Sequence, residues 1–138
     1  MRKEIIRTKM EEIKESIGLV EGHLPDKFEE FSSMGLIKDG IYRRVEYAIE
    51  NVFDICAIIN ADFELGIPYS DEGIVENLVK NKVLSSEMKE KLKAMKGFRS
   101  IVVHRYGKID DKLAFGILRE NIGDFHEFVG KIEELLGK

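Results

Sequence analysis

The run Phe98-Arg99-Ser100-Ile101-Val102-Val103-His104-Arg105-Tyr106 gathers three groups suited to phosphate chemistry. A guanidinium such as Arg99 is a permanent cation whose planar fork matches a phosphate. His104 can exchange a proton near neutral pH. Tyr106 adds a hydroxyl two residues further on. Arg99 also lies on the line of Met88, Leu92, Met95 and Val102. A cation among apolar positions is unfavourable unless it meets an anion or another partner. The plainer reading is a helix end that places cations beside its negative dipole terminus. Geometry constrains the sharper one. Residues five apart on a regular helix differ by about 140° in direction and ~7.5 Å in rise. Arg99 and His104 can therefore converge by three routes: a distortion near Gly107, a wrapped arginine side chain, or a two-fold dimer that joins two copies of the segment. The last supplies two histidines, one for base and one for acid.

The elements that must position this segment are helices. Ile6, Met10, Ile13, Ile17 and Val20 step by four, three, four and three, which predicts a helix from about Arg2 to Glu21. Gly22 and Pro25 end it, and Phe28 and Phe31 mark a short amphipathic turn. Ile41, Val45, Ala48, Val52, Ile55, Ile59 and Phe63 predict a long helix from about Ile37 to Phe63, widened by Ile49, Cys56 and Ala57. Asp54 falls off the main stripe, as a solvated carboxylate would. Ser70 can cap a short helix to about Asn81, and Ser85 or Ser86 the next, to about Tyr106. From Asp110 or Asp111 onward, Leu118, Ile122, Phe125, Val129, Ile132 and Leu136 predict one final helix. Gly116, Gly123 and Gly130 recur every seven residues on it, a pattern that suits close helix approach. The expected architecture is all-α, an antiparallel four-helix bundle with one or two short extra helices, formed by residues 1–138 as a single domain.

Charge is unevenly spread. From Lys80 to Lys112 there are ten basic residues and four acids, a balance of +6 that leaves −10 on the rest of a chain of net charge −4. Such a basic segment can attract a phosphate chain locally, or it can be a solvated lysine-rich face.

Several chemistries are excluded by residue type. The lone Cys56 cannot support a disulfide framework or a cysteine-rich zinc site. The residues three before His23, His104 and His126 are Val20, Ile101 and Gly123, so no Glu-x-x-His di-iron pair exists. No phosphate-binding glycine loop or dinucleotide fingerprint is present. Neither a metal nor a cofactor is expected. The charged start Met-Arg-Lys-Glu is unlike a secretory signal, and no apolar run reaches the ~20 residues that cross a bilayer. The expected location is the cytoplasm, away from membranes.

Arg99-x4-His104-x-Tyr106 resembles the Arg-x4-His-x-Tyr motif of the HepT-like toxin family, within the HEPN superfamily. Arg44-Val45-Glu46-Tyr47-Ala48-Ile49-Glu50, the Asp54 position, Ile67-Pro68 and the block from Leu92 to Tyr106 follow the family's order. The likeness covers the chain from about Ile37 to its end well and the first helix loosely. The resemblance implies a HEPN-like helical fold and a metal-independent endoribonuclease, toxic when free and active as a homodimer. It implies cleavage by attack of the ribose 2′-hydroxyl on the adjacent phosphate, with His104 moving the proton and Arg99 holding the phosphate. Arg105, Lys108 and Lys112 would steer the RNA backbone. It also implies a minimal nucleotidyltransferase antitoxin, able to transfer AMP to Tyr106. A bulky anion there would fill the cleft and repel RNA. One departure stands out: the residue after the arginine is commonly asparagine in the family and is Ser100 here. Loss of the amide implies weakened or absent cleavage.

Two other readings remain open. One is a non-catalytic dimeric helical module that binds a nucleotidyltransferase partner or a nucleotide, with Arg99 as an anion anchor. The other is a structural bundle in which Arg99 caps carbonyls or pairs with Asp54.

Overall fold

A computed structural model describes residues 1–103 and 109–137. The described residues form seven helices: α1 (Lys3–His23), α2 (Phe28–Ser32), α3 (Leu36–Asp62), α4 (Asp71–Lys80), α5 (Ser86–Val103), α6 (Asp111–Asn121) and α7 (Asp124–Leu136). No strand occurs among them. The expected all-α bundle is what forms.

The long helices run antiparallel. Arg2 at the start of α1 binds Asp62 at the end of α3, with its backbone N–H donating at 2.9 Å and its guanidinium paired at 2.9 Å. Further along, Lys9 meets Asp54 at 3.3 Å, and Arg44 donates to the Ser16 hydroxyl at 3.4 Å. The stripe Ile6, Met10, Ile13, Ile17 and Val20 is buried against α3. Opposite it, Ile41, Val45, Ala48, Val52, Ile55 and Ile59 are buried too, while Phe63 stays 38% exposed past the helix end. Each such side chain removed from water contributes about 1.5–3 kcal/mol, so this pair is the spine of the core. Burial pushes the Cys56 thiol up to about 12, which leaves it a core residue with no reactive thiolate.

Serine caps set the shorter elements. The Ser70 hydroxyl accepts from the Gly73 N–H at 3.1 Å and starts α4. Ser85 does the same for Met88 at 3.0 Å and starts α5, which decides between the two candidate serines. Between α3 and α4, Asn60 is buried and donates to the Gly66 carbonyl at 3.0 Å, while Asn77 donates to Asn60 at 3.0 Å. This network holds a tight loop in which Gly66 has φ +121°, a conformation that favours glycine.

Two expectations fail here. The final segment is two helices, α6 and α7, with the break at Ile122 and Gly123. Gly123 weakens the helix and Asp124 favours a first turn, so a new helix starts there. The halves also face different neighbours: α6 packs on α2 and α5, and α7 on α1. The apolar stripe hides the break because Leu118, Phe125, Val129, Ile132 and Leu136 are all buried on either side of it. The glycine pattern is not a close-approach surface either. A Cβ built on Gly116, Gly123 or Gly130 would meet nothing within 4 Å, and all three lie on the exposed side.

Candidate functional site

The candidate motif begins in the last part of α5, and α3 positions that helix. Leu92, Met95 and Phe98 are buried. Val45 and Ile49 of α3 border the same small cavity as Met95 and Phe98. Phe53, two turns further along α3, borders a second cavity with Leu92. So α5 runs antiparallel to α3, with its motif end beside the N-terminal half of α3. Surface salt bridges join α5 to its neighbours: Lys89 to Glu76 of α4 at 2.8 Å, Lys96 to Asp71 at 3.9 Å, and Lys91 to Glu127 of α7.

On that frame Arg99 is half-buried and Ser100 is exposed. The Ser100 hydroxyl donates back to the Lys96 carbonyl at 3.4 Å, as a mid-helix serine commonly does. Among the described residues Arg99 forms no salt bridge. Its suggested pairing with Asp54 is not what forms, because Asp54 is exposed and takes Lys9 of α1 instead. His104, Arg105, Tyr106 and Lys108 lie outside the described residues. Lys112 is exposed in the first turn of α6.

The chain returns at a second anchor that the sequence reading did not identify. Asp110 caps α6 by accepting from the Leu113 N–H at 3.1 Å. Asp111 accepts from Lys38 at 2.7 Å and from the Tyr42 hydroxyl, both on α3. Burial pushes the Tyr42 hydroxyl up, and its donation to the Asp111 carboxylate pushes it further. For Asp111, burial opposes ionisation most strongly. The hydrogen bonds from Lys38 and Tyr42 together outweigh it and hold the carboxyl below its usual range. Both described flanks of the motif therefore rest on the N-terminal half of α3, Phe98 near Val45 and Asp111 on Tyr42. The one available signal was Tyr42 itself, a hydroxyl beside a core stripe that needs a partner.

This arrangement sets a half-buried cation in the last part of α5, and Asp111 fastens the chain again at α6. It can hold an anion at Arg99. Among the described residues, no three His, Cys, Asp or Glu side chains come together as metal ligands. Nor is any helix among them long and apolar enough to cross a membrane.

The sequence model of the family described as Ribonuclease HepT-like matches residues 13–132. The mRNA nuclease HepT of Shewanella oneidensis is 26% identical over 130 residues, covering 94% of this chain and 97% of its own. A solved structure of the tri-AMPylated Shewanella oneidensis HEPN toxin in complex with MNT antitoxin superposes with a TM-score of 0.84 at 25% identity. That match covers 94% of this chain and 97% of the toxin. The cytosolic protein YutE of Bacillus subtilis, of unknown function, shares the fold at a TM-score of 0.82 and 17% identity, over 99% of this chain and 91% of its own.

Proposed function

This chain belongs to the ribonuclease HepT-like family, and on that premise we propose that it is the endoribonuclease toxin of a toxin–antitoxin pair. The observation that carries the reading is the position of Arg99. It is half-buried, without a salt-bridge partner among the described residues, and opens an Arg-x4-His-x-Tyr motif inside the matched region. Arg99 holds the scissile phosphate and stabilises the extra charge of the pentavalent transition state. His104 takes the proton of the ribose 2′-hydroxyl or delivers one to the departing 5′-oxygen. A homodimer places two copies of the segment in one groove, so that one imidazole serves as base and the other as acid. That arrangement is one of the routes past the ~140° that separates residues five apart on a regular helix. Tyr106 orients the phosphate or receives AMP from a nucleotidyltransferase antitoxin, the class of partner named for the Shewanella toxin. No metal takes part. Arg105, Lys108 and Lys112 attract the RNA backbone, and of these Lys112 stands exposed on α6.

Ser100 favours a second reading, a non-catalytic dimeric module that binds the nucleotidyltransferase or a nucleotide. Its hydroxyl donates back to the Lys96 carbonyl at 3.4 Å. Expression without an antitoxin separates the two. The toxin reading expects growth arrest on induction and normal growth with His104→Ala. Normal growth with the unaltered chain, together with a stable complex with a nucleotidyltransferase, assigns it to the binding module.

A further inference from the structure

The end of the bundle away from the motif carries two features that RNA cleavage does not use. The first is a projecting loop between α3 and α4. In it Ile67 is 87% exposed and Tyr69 is 99% exposed, so neither contributes to the core. The base of the loop is nevertheless fastened, since the buried Asn60 donates to the Gly66 carbonyl and accepts from Asn77. A buried polar network that holds two apolar side chains out in water adds little to the fold, but it sets the loop in advance for a contact. From Glu64 to Glu72 this segment has three acids and no base. The second feature is a hollow of about 420 Å³, walled by Phe63, Leu65, Val83 and Leu135. Its charged residues are Lys82, Lys131 and Glu134, a balance of +1, and among the described residues neither lysine forms a salt bridge. Lys82 ends α4 with φ +59°, where glycine would be the less strained residue, and a cation stands there instead.

An apolar tip with acidic flanks and an apolar hollow with a net positive lining are complementary in shape and in charge. They do not pair within one chain, because Tyr69 stands in water. A foreign partner would have to match each of them separately, whereas a second copy supplies both at once. Tip and hollow also adjoin, since Leu65 walls the hollow and Ile67 begins the tip. One two-fold axis can therefore seat each tip in the other copy's hollow. An aromatic ring and an isoleucine covered in this way, with the walls they cover, amount to on the order of 600 Å² per copy, at the low end for a specific contact. We infer that this end of the bundle is a self-association surface, in which Ile67 and Tyr69 of one copy fill the hollow of a second and Glu72 faces Lys82. The expected Kd is on the order of 10 µM, as suits a contact of modest area. Asp62, at the end of α3, lies about 25 Å along that helix from Val45, so this contact is separate from the motif end. It can join two of the proposed nuclease dimers, and it does not depend on the ribonuclease reading.

Sedimentation velocity on the full chain, at concentrations from about a tenth of the expected Kd to ten times it, reads the association. Tyr69→Ala is expected to weaken it at least about tenfold, as loss of an aromatic anchor does. Because that side chain is exposed, the fold is untouched. Lys82→Glu and Glu72→Lys proteins are each expected to associate more weakly, and an equal mixture of the two to regain the contact, because each tip then meets a hollow of opposite charge. If Tyr69→Ala sediments like the unaltered chain at every concentration, the surface does not self-associate and the inference falls. If Tyr69→Ala weakens association but the mixture does not regain it, the tip seats outside the hollow and the inference is overturned. If Tyr69→Ala loses only the binding of a nucleotidyltransferase, the loop is a dock for that partner and the inference is overturned too.

Discussion

His104→Ala and Arg99→Ala proteins are each expected to lose RNA cleavage by about 100-fold to 10,000-fold, with folding intact. The magnitude follows from the two roles. A positioned acid or base is worth about 10²–10⁴ in rate. A preorganised cation at the transition-state oxygens is worth about 10²–10³. Arg99 is half-buried on a helix whose core contacts come from Leu92, Met95 and Phe98, so its removal leaves the packing in place. Arg99→Lys is expected to recover little, because an ammonium is a point charge without the guanidinium's fork. Cleavage of a labelled RNA by each purified variant, beside its circular dichroism spectrum, reads both effects. Full-rate cleavage by either alanine variant would remove that residue from the mechanism.

The second large effect is on stability. Phe31 is fully buried although it sits on the five-residue α2. Its ring meets Tyr42 of α3 edge-on at 5.7 Å between centroids and Phe115 of α6 at 5.1 Å. It thus joins α2, α3 and α6 at the end of the bundle where Asp111 is anchored. Phe31→Ala is expected to cost about 3–5 kcal/mol, from lost transfer energy and the cavity left behind. Phe31→Leu keeps most of the volume and is expected to cost about 1–2 kcal/mol, chiefly the aromatic contacts. Urea unfolding of both proteins checks the pair. A cost below about 1 kcal/mol for the alanine would mean that α2 is not a working part of the core.

The helices were legible because each local signal agreed with the fold. Ile6 to Val20 kept one stripe, and Ser70 and Ser85 stood where a cap was needed. The break at Gly123 was not legible, since Leu118 and Phe125 stay in phase across it and periodicity cannot register a turn that preserves burial. The anchor of Asp111 on Tyr42 and Lys38 joins residues 69 and 73 positions apart. No local pattern carries such a contact. Of the site, residue types and spacing were readable at Arg99, His104 and Tyr106. Which groups meet at one phosphate is not encoded in the pattern of a single helix.

The central claim concerns how the phosphodiester is broken, and the end groups of the products report it directly. Purified protein is incubated with a defined single-stranded RNA in excess EDTA, and the fragments are identified by mass spectrometry. The account predicts upstream fragments ending in 2′,3′-cyclic phosphate and downstream fragments beginning with a 5′-hydroxyl, at a rate that EDTA does not change. Fragments with 3′-hydroxyl and 5′-phosphate ends, or cleavage abolished by EDTA, would contradict it.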